Sequence, residues 1–336
     1  MRIAVLGAGA IGAYVGAALA RGGADVHLVA RGANLEAMRE HGVAVLSPRG
    51  DFSAHPPVTD DPREIGPVDI VFLGLKAHHY ASAGPLLAPL TKADTAVVAA
   101  QNGIPWWYFH GVPGPHADRR IEAVDPGGSV SATIPLERAI GCVVYCSTEL
   151  ERPGVVRHLE GTRFTIGEPT GAISDRCRAF SDAMIAGGLK CPVVDDIRND
   201  IWVKLMGNAV FNPLSALTRA TMAAMCRDAP MRALAHSIMS EIVLIARATG
   251  TDPQVSIERR LDGAENVGEH KTSTLQDLEA GKPLELGAIV DAVVELADLY
   301  AIPAPSLRAV GASVGMLATT LGLRAEAARA PAARTG

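Results

Sequence analysis

The chain has 336 residues, 48% of them hydrophobic and 20% charged, with a formal net charge of −5. That length suits two ordinary domains or one large one, and the composition is that of a packed globular protein, which excludes a disordered chain. The negative balance argues against nucleic acid as a partner, because phosphate binding calls for a basic surface. The five cysteines (Cys142, Cys146, Cys177, Cys191 and Cys226) are scattered without a CxxC pair. Neither a disulfide framework nor a metal site is expected, and a reducing compartment is. No stretch reaches the roughly 18 apolar residues that span a bilayer. The apolar start Met1–Ala20 lacks the basic lead of a secretion signal. A soluble, cytoplasmic protein with no membrane partner is the expectation.

In chain order, Arg2–Gly7 reads as an apolar strand, Ile11–Arg21 as a helix and Asp25–Ala30 as a second strand. Val68–Leu75 (VDIVFLGL) and Thr95–Ala100 (TAVVAA) suit strands buried on both faces, and their alternation with helical stretches predicts a parallel, doubly wound sheet covered by helices. Ile140–Cys146, Val155–Leu159 and Thr162–Gly167 read as shorter strands closing the same sheet. Between Gly103 and Val130 lies a Pro/Gly-rich stretch holding Trp106 and Trp107. A loop of that length is usually functional or disordered, and its aromatic cluster favours a packed loop or lid. After Asn199 strand patterns vanish. Ile201–Phe211, Met231–Gly250, Leu284–Tyr300 and Ser306–Gly322 all carry helical periodicity. The reading is therefore an α/β, Rossmann-type domain over residues 1–195 and an all-helical domain over 196–336, with the Ala/Arg/Pro-rich tail 324–336 disordered. The amphipathic C-terminal helices permit a homodimer.

Gly7-Ala8-Gly9-Ala10-Ile11-Gly12 matches GxGxxG. The motif alone is weak, but here it follows a strand, opens a helix and leads to a second strand. In that setting the glycines make the tight turn, admit a pyrophosphate and let helix and strand pack, with the phosphates on the helix N-terminus. The bland alternative is a glycine-rich turn without ligand. Where an NAD-binding unit usually has a carboxylate, this chain has Ala30-Arg31-Gly32-Ala33-Asn34. A guanidinium pairs with a ribose 2′-phosphate that a carboxylate would repel, so NADP(H) is expected unless Arg31 is an ordinary surface residue. Lys76 and Asn102 follow strands directly, where ligands of such sheets bind, although either could be a solvent-facing turn residue.

Lys204, Asn208 and Asn212 recur every four residues and so share one helix face. Ile201, Trp202, Leu205, Met206, Val210 and Phe211 surround them, and polar groups in such company are costly to bury unless something pairs with them. A water-facing stripe is the alternative. Pro213 is expected to bend the helix there. Only six of the 31 basic residues are lysines, which hints that Lys204 is kept for its ammonium and tunable pKa. In His270–Asp277 the Ser/Thr run could cap a helix or bind a ligand, and Glu285 could be an exposed helix residue.

With GAGAIG at the start, LKA at 75–77, QNG at 101–103, WxKLxxNxxxNPLSAL from Trp202 and KTSTLQDLEAGKPLE from Lys271, the chain resembles the ketopantoate (2-dehydropantoate 2-) reductase family over nearly its whole length. The resemblance implies NADPH-dependent reduction of a 2-keto acid, with Lys204 as proton donor to the carbonyl oxygen. It implies that Asn208, Asn212 and Ser273 bind the substrate's carboxylate and hydroxyl, and that Asn102 touches both substrate and cofactor. Glu285 is implied beside the nicotinamide ribose, Arg31 and Lys76 on the cofactor phosphate side, and Ser147 against the cofactor through its backbone. Met222 and His270 stand where some members carry substrate-binding asparagines. A reductase of another 2-keto acid, or a nucleotide-binding sensor without turnover, are the alternative readings.

Overall fold

The computed structural model describes residues 1–325, so most of the tail expected to be disordered lies outside the described residues. Arg324, at the head of that tail, is held in place. It forms a β-bridge with Leu284, and its guanidinium lies 3.2 Å from Asp291. The chain divides into two compact units, and the division is not a single cut. Unit 1 comprises Met1–Gln101, Phe109–Arg119 and Val130–Ile197, while unit 2 takes Asn102–Tyr108, Arg120–Ser129 and everything from Arg198.

Unit 1 is built on nine strands: β1 (Arg2–Leu6), β2 (Asp25–Val29), β3 (Val43–Leu46), β4 (Phe52–Ala54), β5 (Val58–Thr59), β6 (Ile70–Leu73), β7 (Ala96–Ala100), β8 (Ala139–Arg152) and β9 (Val155–Gly167). Their order is β4-β3-β9-β8-β7-β6-β1-β2-β5. From β5 to β8 every pair is parallel, with Val5 beside both Leu28 and Phe72. The β8–β9 and β3–β4 pairs are antiparallel. The three short strands expected after residue 140 are in fact two long ones. Cross-strand pairing carries β9 through Gly161, and register shifts around Ser147 absorb the irregularity as a bulge.

Helix α1 (Ala10–Arg21) buries Gly12 through Leu19 against the sheet, and the small residues Ala13, Gly16, Ala17 and Ala18 let it lie close. Sequence reading passed over α2 (Gly32–His41), the short α3 (Gly84–Leu87) and α4 (Ser129–Thr133), and α5 (Asp175–Ala186). Ser174 caps α5 by accepting from Cys177 N.

Unit 2 is helical: α6 (Ile197–Thr218), α7 (Met222–Arg227), α8 (Ala229–Ala248), α9 (Ile257–Asn266), α10 (Ser273–Glu279), α11 (Ala292–Leu299) and α12 (Pro305–Thr320). Leu284–Tyr300, expected as one helix, opens instead with a π-helical turn, Gly287–Asp291, before α11. Helix α6 runs unbroken from Ile197 to Thr218 with Pro213 inside it. By length and composition α8 could cross a membrane. It carries Arg232, His236, Glu241 and Arg247, however, and buries Ile238, Met239, Ile242 and Ile245 as a core face. The carboxylate of Glu241 accepts from Ser306 N (2.9 Å) and Leu307 N (2.8 Å), which caps the start of α12.

The stretch after Gly103 is packed. Ile104, Trp106, Trp107, Tyr108 and Phe109 are all buried. Within unit 2, Tyr108 Oη accepts from Trp202 Nε1 and pairs with Thr249 Oγ1, both at 2.7 Å. Arg198 donates to the Tyr108 carbonyl (2.8 Å) and lies over the Trp107 and Tyr108 rings. Tyr108 thereby anchors the first turns of α6. Glu295 holds the second piece, accepting from the backbone N–H of Glu122 and Ala123.

Candidate active site

In unit 1 the motif glycines differ in what surrounds them. A Cβ on Gly12 would sit 2.0 Å from the Gly7 carbonyl, and one on Gly74 would sit 2.4 Å from the same oxygen. Gly7 itself turns with φ +95° and hydrogen-bonds to the Val29 carbonyl. The ends of β1 and β6 and the first turn of α1 therefore interlock with no room for side chains. Around Gly9 the opposite holds, with nothing within 4 Å of the position a Cβ would take. The side-chain-free surface ahead of Ala10, Ile11 and Gly12 meets the first turn of α1, whose unpaired N–H groups favour anions. Asn34 fixes the loop, donating to the Ala8 carbonyl at 2.5 Å and accepting from Gly154 N at 2.8 Å.

Arg31 stands immediately before α2, just past β2, and Lys76 precedes a 3-10 turn just past β6. β2 and β6 flank β1, so both cations stand beside the glycine loop. His79 in that 3-10 turn joins them. Burial first, then the charges of Arg31 and Lys76, lower its pKa. Its neighbour His78, with ring centroid 4.2 Å away, is pushed down to about 4 by burial and by the charges of His79 and Lys76. Arg31 is exposed. The cluster fits a phosphate dianion. Ser147 stands apart from it, at the bulge of β8, three places from β1 in the sheet.

In unit 2, Asn102 is placed by its successors. Ile104 N donates to the Ala288 carbonyl (2.8 Å), and Gly103 packs so closely on that carbonyl that a Cβ would meet it at 2.2 Å. Ala288 lies in the π-helical turn, three residues beyond Glu285, so Asn102 and Glu285 are drawn to one corner. π-turns of this kind recur at functional sites. On α6, Lys204 and Asn208 are half-buried and Asn212 is 5% exposed. The Asn212 amide nitrogen is buried with no hydrogen-bond partner. Just beyond, Ser215 Oγ donates to the Asn212 carbonyl (3.0 Å) and pairs with Thr272 Oγ1 (2.5 Å). Thr272 in turn caps α10 by accepting from Leu275 N. The two long motifs of the sequence are thus tied by one buried hydroxyl pair. The capping reading of the Ser/Thr run holds for Thr272, and Ser273 is exposed at the first position of α10.

Two family models cover most of the chain: ketopantoate reductase PanE/ApbA over residues 3–171 and its C-terminal domain over residues 196–318. The chain belongs to the ketopantoate reductase family. A 2-dehydropantoate 2-reductase of Mesorhizobium japonicum is 47% identical over 96% of this chain and 99% of its own. The crystal structure of the 2-dehydropantoate 2-reductase of Geobacter metallireducens superposes with a TM-score of 0.82 at 30% identity, over 94% of this chain and all of that one. A D-mandelate dehydrogenase solved with NADH and anilino(oxo)acetate shares the fold, with a TM-score of 0.79 at 21% identity.

Packing brings further residues beside those that the sequence motifs mark. Gly74 closes on the Gly7 carbonyl, and His79 stands near Arg31 and Lys76. Gly207, a glycine inside a helix, was a visible signal, since such glycines usually answer to packing. Arg260, which lies against it, left no trace in the sequence pattern. Among the described residues no group of acidic, histidine or cysteine side chains could hold a metal ion.

Proposed function

We propose that this protein reduces 2-dehydropantoate (ketopantoate) to pantoate with NADPH. The observation that carries the reading is the buried Asn212 amide without a partner, on the same helix face as Lys204 and Asn208. Leaving a buried donor unsatisfied costs about 1–3 kcal/mol, and an incoming carboxylate or carbonyl oxygen would offset that cost. The family membership and the glycine loop support the cofactor half of the reading.

Bound there, the nicotinamide cofactor supplies a hydride for the carbonyl carbon. As negative charge builds on the carbonyl oxygen, the Lys204 ammonium donates its proton to that oxygen. Asn208 and Asn212 orient the substrate, with Ser273 as a further donor from the start of α10. Asn102 and Glu285 serve the nicotinamide end, Arg31 and Lys76 the 2′-phosphate, and Ser147 the cofactor through its backbone. The five cysteines are all free thiols, which supports a cytoplasmic location.

A second reading, a related 2-keto acid as substrate, is favoured by one contact. Met222 N bonds the His270 carbonyl at 3.4 Å, so the two positions at which the chain departs from asparagine form one patch. The deciding experiment follows NADPH oxidation against a panel of 2-keto acids that includes ketopantoate. Ketopantoate should give the highest kcat/KM. A better turnover of another member moves the assignment to that acid, and no turnover on any of them leaves the sensor.

A further inference from the structure

Gly207 lies in α6 between Lys204 and Asn208, and it is buried. The space its missing Cβ leaves is taken by Arg260 of α9. A Cβ there would lie 2.5 Å from Arg260 Nη2 and 3.7 Å from Cζ. On an α-helix, residue i is flanked by i−3 and i+4, so a group seated on Gly207 lies alongside Lys204 one turn back and Phe211 one turn forward. Arg260 is directed there by its own helix. The acids of α9 engage the side chains of α7 and α8. Asp262 meets Arg232 (2.6 Å), Glu265 meets Arg232 (3.3 Å) and Arg227 (3.8 Å), and Glu258 faces His236 (3.5 Å). Arg260 lies two residues from both Glu258 and Asp262, which on a helix turns it to the other side. Its Nε is buried, so the side chain is settled against α6 and does not wave in solvent.

Arg260 brings a second positive charge to the part of α6 that carries Lys204, and an opposite charge is favoured beside cations. A 2-keto acid brings a fixed negative charge on its carboxylate and develops a second on its carbonyl oxygen during reduction. Lys204 answers the second by giving up a proton. Asn208 and Asn212 are neutral and offer no net charge for the first.

We infer that Arg260 is a substrate-binding residue whose guanidinium, seated on Gly207, carries the charge for the carboxylate of the 2-keto acid. The inference rests on the reductase reading above. It explains why α6 keeps a glycine in mid-helix, where alanine would raise helix stability.

The test compares the wild type with Arg260→Leu, Arg260→Lys and Gly207→Ala, using ketopantoate and its amide, which keeps the ketone and loses the charge. Charge-assisted hydrogen bonds are the stronger class, so KM for ketopantoate should rise about tenfold or more in Arg260→Leu. It should recover in part in Arg260→Lys, with KM for NADPH unchanged. Gly207→Ala should reproduce part of the loss, because the new Cβ meets only the far end of a flexible side chain and displaces it while the helix stays folded. With the amide, wild type and variants should be alike. Equal losses on acid and amide would mean that Arg260 only packs, and an unchanged KM for ketopantoate overturns the inference outright. If the wild type turns over neither compound, the reductase reading fails first. Equilibrium binding of pantoate to each variant with NADP+ present gives a readout independent of turnover, and undiminished affinity in Arg260→Leu also counts against the idea.

Discussion

At the end of β1 a ligand would meet backbone: the crowded Gly7 carbonyl, two further glycines pressed against it, and the N–H groups of the first turn of α1. On α6 it would meet side chains, an ammonium and two amides raised from a stretch, residues 201–212, that is otherwise apolar. The first surface works because side chains are absent, and its tolerances are those of van der Waals contact. The second works because particular polar groups are present where burial makes them costly, and its tolerances are those of hydrogen bonding. Adding one carbon should therefore damage the first, whereas removing a functional group without changing the shape should damage only the second.

The largest effect is expected from Lys204→Ala. General acids contribute about 10²–10⁴-fold, so kcat should fall by that factor while the dissociation constant for NADPH, measured by fluorescence titration, stays within about threefold. Unchanged turnover would remove Lys204 from the chemistry.

The two glycine positions make the sharpest contrast inside unit 1. Gly12→Ala drives a methyl to 2.0 Å from the Gly7 carbonyl, and overpacking of this kind costs about 1–3 kcal/mol. The melting temperature and NADPH binding should fall together. Gly9→Ala meets nothing within 4 Å, so its melting temperature should stay put while NADPH binding weakens. Equal melting temperatures for the two variants would break the comparison.

Arg31→Ala should lower the preference for NADPH over NADH by about 10–100-fold, the worth of charge-assisted hydrogen bonds, with kcat/KM for NADH little changed. A wild type that already uses both cofactors equally would void that assignment. Asn212→Leu keeps the volume and removes a buried donor without a partner. Thermal or urea unfolding should show stability unchanged or raised by about 1 kcal/mol, while KM for the keto acid rises about tenfold. A loss of stability with KM intact would make Asn212 a structural residue.

The smallest effect concerns pH. Folded, His78 titrates at about 4, against 6.5 for a free histidine, chiefly through burial. Between those values the unfolded chain holds a proton that the folded chain does not, so stability rises with pH across the window and drains away on acidification from 6.5 towards 4. His78→Phe should flatten that slope in urea midpoints collected from pH 7 to pH 4.5. An identical slope would show that the burial of His78 has no share in it.

The sequence by itself determined whatever depends on local spacing. The order of strand, glycine turn and helix over the first 31 residues follows from period and from residues that only a turn accommodates. The four-residue spacing of Lys204, Asn208 and Asn212 put them on one face as soon as the segment was a helix. Absence of a carboxylate near Arg31 was equally plain. The tertiary structure decided what depends on partners distant in the chain. Two long strands replaced three short ones because β8 and β9 pair with each other, and no single strand's pattern records its partner. Helix α6 continues through Pro213, with the Trp202–Tyr108–Thr249 network and the Ser215–Thr272 pair holding both its ends against the local preference of the residue before a proline. The loop with the tryptophans proved to be shared, its segments Asn102–Tyr108 and Arg120–Ser129 belonging to the helical unit. Arg260 on Gly207 is the extreme case. Fifty-three positions separate them, and only packing reveals that a missing Cβ on one helix is the seat for a guanidinium from another.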